Sequence, residues 1–141
     1  MELQSEALVA PERALHLQSA IDLTFDMAHR LLEDPVLRAG IRLTLEQTPP
    51  GDPGPRPLQY AQEVTAELLR RAEQNGELLP GLDLTEAAKF IVASFTGLQQ
   101  VSQVHTGRRD LVDRLATMWT LLLPGLAAPG LLPRLRLSPS A

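Results

Sequence analysis

The sequence predicts an all-α fold, a helical bundle, and three observations support this. Apolar residues recur at spacings of three and four along most of the chain, which is the pattern of one helix face. No stretch shows the strict alternation of apolar and polar residues that marks a half-buried strand. Prolines and glycines cluster between the periodic stretches, where they end helices. At 141 residues without a cysteine, one domain with a single apolar core is predicted.

Three helices are predicted in the first half of the chain. The first runs from Pro11 to Asp34, and Pro35 ends it and begins the second. Residues 48–57, TPPGDPGPRP, contain five prolines and two glycines, so a loop is predicted there. Helical spacing returns over residues 58–72, which predicts the third helix.

Two further helices are predicted over residues 84–105 and 109–123. Asp83 and Glu86 have the spacing of a capping box at the start of the first of them. Both helices are apolar on more than one side, which is more apolar surface than one small core covers. One face is therefore expected inside the subunit and another against a partner, for which a second copy is the simplest candidate.

Composition argues against two classes of partner. Thirteen Lys and Arg against seventeen Asp and Glu give a net charge of −4, and no dense basic cluster predicts a nucleic-acid surface. No apolar run approaches the roughly 20 residues that span a bilayer, and the first ten residues hold no basic leader. We therefore expect no membrane contact and a cytoplasmic protein, which the absence of cysteine also fits.

The sequence offers no group of residues for catalysis. His16, His29 and His105 lack the spacing of metal ligands. Asp22 and Asp26 share a helix face, but no nucleophile or base is recognisable beside them, so a solvated face is predicted. We expect no enzyme, no catalytic residues, no metal site and no cofactor.

Polar and aromatic residues near the apolar helix pair allow two interpretations each. The Thr96 hydroxyl either bonds back to the preceding helical turn or meets a ligand in a cavity. Tyr60, the only tyrosine, suits a core position with its hydroxyl at the surface. Trp119 is expected in the core or in an interface rather than against a ligand.

Several segments, in the same order, resemble one known family. They are MELQSEAL, PVLRAG, GELLPG, ASFTGLQQVSQV and MWTLLLPGL. Together they closely resemble the C-terminal half of the gamma-butyrolactone receptors, TetR-family repressors of actinomycetes. The resemblance implies an all-helical homodimer in which a helix-turn-helix head precedes a ligand-binding body, and a signalling lactone in the body releases operator DNA.

The resemblance also implies the domain organisation and the interface. Residues 1–141 would form the ligand-binding and dimerisation domain, with residues 1–10 as a remnant of the helix that links head to body and residues 138–141 as a frayed tail. The two apolar helices would form a four-helix interface with their copies. The predicted interface residues are Phe90, Ala93, Gly97, Val101, Val104, Leu115, Trp119 and Leu122.

Three residues stand at positions where the family contacts its ligand. Gln4 matches a glutamine of the linking helix, and Thr96 matches a threonine that hydrogen-bonds the ring ester. Tyr60 is nearest to the family's pocket tryptophan, so the sequence departs from the pattern there. That departure implies an altered ligand, or a relative that senses an antibiotic.

Three functions remain open from the sequence. The first is a sensor body that binds a small neutral lactone-like ligand as a homodimer. Without the head, we expect no DNA binding by this chain alone, because the recognition helix is absent. The second is a headless partner that forms mixed dimers with a complete repressor, and an enzyme is the least favoured.

Overall fold

A computed structural model describes residues 15–47, 49–51 and 56–138, and it confirms the all-α fold for them. The helices within these ranges are α1 His16–Glu33, α2 Pro35–Gln47, α3 Arg56–Gln74, α4 Leu84–Thr106 and α5 Leu111–Leu122. Two 3-10 turns follow, Leu123–Gly125 and Pro129–Arg134. The predicted linking-helix remnant, including Gln4, lies outside the described residues, as does most of the predicted tail.

Helix α1 lies at the centre of the bundle. It packs against α2, α3 and α5, while α3 and α4 pack against each other. Its apolar face is fully buried through Leu17, Ile21 and Phe25. Helix α2, in contrast, contributes no buried residue, so it lies against the bundle without joining the core.

A buried carboxylate fixes the start of α1. The predicted start at Pro11 lies outside the described residues; within them, Leu15 is extended and the helix begins at His16. The Glu77 side chain accepts hydrogen bonds from the backbone amides of His16 and Leu17, at 3.1 and 2.9 Å. Asn75 donates to the same carboxylate at 2.7 Å. These bonds satisfy two of the amides that a helix start leaves unpaired.

The connection between α4 and α5 is fixed by Asp110. Its carboxylate accepts hydrogen bonds from the hydroxyls of Ser102 and Thr106 and from the Arg114 guanidinium. The Ser102 hydroxyl, then Arg114 and Thr106, hold the pKa of Asp110 well below its usual range, because all three favour the ionised carboxylate. At the other end of α4, Asp83 caps the helix as predicted by accepting from an amide of the first turn.

The predicted interface residues divide between the two helices. On α4, Phe90, Ala93, Gly97, Val101 and Val104 are all exposed, so this apolar face has no partner among the described residues of the subunit. On α5, Leu115 and Trp119 are fully buried within the subunit, so the prediction is wrong for these two residues. Leu122 is partly buried against the core, and its place in the interface stays a prediction.

The correction on α5 has a simple physical cause. The indole of Trp119 faces α1, where its nitrogen donates to the Thr24 hydroxyl. The apolar face of α5 is therefore used inside the subunit. Leu121 is the large apolar residue that α5 leaves exposed.

Candidate ligand-binding cavity

A cavity of about 450 Å³ lies between α1, α2, α3 and α4. Among the described residues, its wall is apolar except for three side chains, Thr44, Thr96 and Gln99, and none of those that line it is charged. Ligand sites of this size are commonly apolar with a few polar groups that orient the ligand. The cavity is therefore suited to a small, largely apolar and neutral molecule.

Helix α2 forms one wall of this cavity. Its apolar face, with Leu37, Ile41 and Leu45, points into the cavity instead of into a packed core. This explains how α2 is amphipathic and still holds no buried residue. Arg42 and Glu46, on its outer side, form an exposed ion pair at 3.1 Å.

Thr96 lies in the wall formed by α4. Its hydroxyl donates a hydrogen bond to the Val92 carbonyl at 2.8 Å, one turn earlier in the helix. The back-bonded interpretation therefore describes its hydroxyl, and the side chain also lines the cavity, where contact with a ligand stays a prediction. Because the single hydroxyl hydrogen is used within the helix, the oxygen faces a ligand only as an acceptor.

Gln99 lines the cavity, although no sequence pattern predicted it as a ligand-binding residue. It lies three residues after Thr96 on the same helix face, lines the cavity and is only 4% exposed. Its amide oxygen accepts from Nε and Nη2 of Arg108, at 3.2 and 2.6 Å. Within the described part of the chain, the hydrogen bonds of the Gln99 side chain all use this oxygen. Gln99 therefore offers a hydrogen-bond donor to a ligand.

Tyr60 does not lie in this cavity. Its side chain is 68% exposed and lines a separate cleft with Arg56 and Glu63. A helix turns by about 100° per residue, and α3 directs Leu58 and Ala61 toward the cavity, so Tyr60 points elsewhere. The aromatic residue in the cavity wall is Phe95 of α4.

Of the acidic pair Asp22 and Asp26, only Asp22 makes polar contacts with other described side chains. Asp22 accepts from the Gln18 amide at 2.9 Å and lies 3.8 Å from the Arg136 guanidinium, whereas Asp26 is exposed. Among the residues that the structure describes, no group of three His, Asp or Glu side chains could hold a metal ion. In the same ranges, no helix combines the length and the apolar character needed to cross a membrane.

Comparison with known proteins gives one family match. The model of the tetracyclin repressor-like C-terminal domain matches residues 14–128. The A-factor receptor protein of Streptomyces griseus is 36% identical over 136 residues, which is 96% of this chain and 49% of that protein. The chain thus spans about half the length of this curated relative.

Solved structures support the same fold. The full-length TetR regulator TylP of Streptomyces fradiae is 42% identical, with a TM-score of 0.79 over 88% of this chain and 57% of that one. A gamma-butyrolactone receptor described as an ArpA-like protein is 27% identical, with a TM-score of 0.63 over 92% of this chain and 62% of that one.

Proposed function

The chain belongs to the family of tetracyclin repressor-like C-terminal domains, and on that basis we propose that it is the ligand-sensing and dimerisation body of a transcriptional regulator. The ligand is a small neutral molecule of the gamma-butyrolactone type. The uncharged apolar cavity between α1, α2, α3 and α4 is the observation that supports this choice. Such a regulator acts on DNA in the cytoplasm.

The polar groups of the cavity fit the chemistry of such a ligand. Apolar walls bury an alkyl chain, which stabilises binding by about 0.8 kcal/mol for each CH₂ group. The amide nitrogen of Gln99 suits the ring carbonyl, which is an acceptor. The oxygen of Thr96 suits a ligand hydroxyl, because its own hydrogen is bonded to the Val92 carbonyl.

A homodimer is the proposed assembly. The exposed apolar face of α4 lies on the opposite side of the helix from Thr96 and Gln99. A second copy seated on that face would remove Phe90, Val101 and Val104 from water, and the burial of apolar surface favours association.

Ligand and partner would thus meet the two sides of one helix. A ligand that binds one arrangement of α4 more tightly shifts the population toward that arrangement. In a complete regulator, this shift would change how the DNA-binding heads are held, and operator DNA would be released.

Calorimetry with an alkyl-substituted gamma-butyrolactone tests the proposal. We expect saturable binding. Thr96→Val, which removes the hydroxyl at nearly constant volume, should weaken the affinity several-fold to tenfold, which corresponds to about 1 kcal/mol. Thr65→Val is the matched control, because Thr65 is buried and bonded back to the Ala61 carbonyl at 2.8 Å but does not line the cavity. No heat with this lactone, or with furan and butenolide signals, would exclude the proposed ligand class.

A further inference from the structure

A second cleft lies beside the cavity and has the opposite chemistry. It encloses about 520 Å³ between the start of α2 and the end of α4. Three guanidinium groups line it, those of Arg38, Arg42 and Arg108. This local concentration of positive charge stands out in a chain whose net charge is −4.

Two of these charges lack a counter-charge. Arg38 donates from Nη1 to the backbone carbonyls of Leu31 and Leu32, at 2.6 and 3.2 Å. Arg108 donates to the amide oxygens of Gln99 and Gln103. Among the described residues, neither guanidinium lies within ion-pair distance of a carboxylate.

The environment of Arg108 shows the effect of this excess charge. Burial, and then the nearby charge of Arg38, lower the pKa of the Arg108 guanidinium. Arg42 does have a partner, Glu46, but both side chains are more than half exposed, so their attraction is weak. An added negative charge in the cleft would therefore relieve repulsion without having to displace a strong ion pair.

The guanidinium groups are also held in place before any anion arrives. Arg108 follows Gly107, and both residues have left-handed backbone angles, with φ of 68° and 64°. Two glutamine oxygens then fix the Arg108 side chain, while two carbonyls fix Arg38. In the described part of the chain, the hydrogen bonds of Arg38 use Nη1, which leaves Nε and Nη2 to bind an oxyanion with two parallel bonds.

We propose that this arginine cleft binds the phosphate or carboxylate group of a small anionic molecule. Planar guanidinium groups recognise both oxyanions in a bidentate manner. The volume of the cleft exceeds that of a bare phosphate ion, so it has room for the body of the molecule that carries the anionic group. This site is separate from the apolar cavity, and its existence does not depend on the ligand proposed there.

Calorimetric titration of the full chain with pyrophosphate and, separately, with citrate tests the site. Sodium chloride keeps the ionic strength constant in both titrations, so non-specific screening is the same throughout. We expect saturable binding of at least one anion. Tighter binding of pyrophosphate would assign the cleft to phosphate compounds, and tighter binding of citrate would assign it to carboxylates.

Charge-matched variants locate the binding. Arg108→Gln is expected to weaken binding by at least about tenfold, because a charge-assisted hydrogen bond is lost. Arg109→Gln is the control, since this neighbouring residue bonds the Thr106 carbonyl and does not line the cleft, so its effect should stay within about twofold.

A second variant and a check of folding distinguish loss of the site from loss of the fold. Circular dichroism verifies the folding of each variant, and Arg42→Gln, at an exposed position, replaces Arg108→Gln if the latter does not fold. Arg42→Gln should also weaken binding by more than Arg109→Gln does. Absence of saturable binding, or equal losses in the cleft variants and the control, would overturn the proposal.

Discussion

The indole nitrogen of Trp119 donates a hydrogen bond to the hydroxyl oxygen of Thr24, 2.9 Å away, and so joins α5 to α1 inside the core. The same hydroxyl donates to the Ile21 carbonyl at 2.6 Å. Trp119 is fully buried, and this bond satisfies its only polar atom. The position of α5 against α1 is thus set by shape and by one specific polar contact.

Replacing Trp119 tests this contact. Trp119→Phe should lower the free energy of unfolding by about 1–3 kcal/mol, because it removes the hydrogen bond and leaves unfilled volume. Urea denaturation measures the change. Thr24→Val removes the same bond from the other side, so the double variant should lose less than the sum of the two single variants. Strict additivity would show that the two residues do not interact.

A substitution at Gly97 tests the proposed dimer without disturbing the fold of the subunit. A Cβ atom at this position would meet nothing within 4 Å, so a side chain is tolerated in the single chain. Gly97→Glu would bury a charge in the proposed interface and should weaken the dimer by about a hundredfold or more. Light scattering over a range of concentrations measures this. Gln74→Glu, an added charge at the exposed end of α3, should leave the dimer intact.

The Asp110 cluster predicts a loss of stability in acid. A carboxylate with a depressed pKa in the folded state contributes stability that is fully present above its unfolded pKa, about 3.9. That contribution is lost as the pH falls below this value toward the lower folded pKa of Asp110.

Thermal unfolding of Asp110→Asn and of the unaltered protein measures this contribution. The two melting temperatures should differ by a constant amount between about pH 5 and pH 7, and the difference should shrink progressively below about pH 4. Asp113→Asn is the control, because it removes a carboxylate from the same helix without touching this cluster. A difference between Asp110→Asn and the unaltered protein that stayed the same at pH 3 would contradict the assignment.

Two neighbouring residues of α3 distinguish the cavity from the adjacent surface. Ala61→Phe would fill the cavity and should abolish binding of the lactone, whereas Tyr60→Phe should change the affinity by less than about twofold. Calorimetry with the same lactone measures both. A marked loss of affinity in Tyr60→Phe alone would instead place the ligand near the family position that Tyr60 occupies.

The buried Glu77 carboxylate should be important for stability. Glu77→Gln keeps its size but replaces one acceptor oxygen with an NH₂ group that faces the donors at the start of α1. We expect the free energy of unfolding to fall by about 1.5–3 kcal/mol, the range for hydrogen bonds to charged groups. Urea denaturation tests this, with the exposed Glu73→Gln as the control, which should be nearly neutral.

Much of the fold was predictable from local patterns. Helical periodicity, the Asp83 cap and Pro35 placed the helices and their ends to within a few residues, because these signals act over one or two turns. The described start of α1 at His16 was not predicted, because the carboxylate that binds its first amides belongs to Glu77, about sixty positions along the chain. Contacts of that separation leave no local pattern in the sequence.

The candidate site was less accessible to sequence reasoning. Periodicity identified the apolar faces of α2 and α4 but gave no means to tell a face that lines a cavity from one that is packed. It likewise left Trp119 of α5 open between core and interface, and the family resemblance placed it in the interface, although the core uses that face. Gln99 and Arg108 gain their roles only from their mutual hydrogen bonds, which depend on the left-handed turn at the end of α4.

The orientation of the Gln99 amide links the apolar cavity to the arginine cleft, because Arg108 of the cleft bonds the amide of Gln99. While the Arg108 guanidinium bonds the amide oxygen of Gln99, only the amide nitrogen is available to a ligand in the apolar cavity. An anion that drew Arg108 toward the cleft would release this restraint, so the amide could rotate and present its oxygen to the cavity instead. The amide oxygen of Gln99 would then face the ring carbonyl of the lactone, and two acceptors in contact would weaken lactone binding. By thermodynamic linkage, the lactone and the anion would each weaken the binding of the other by the same factor.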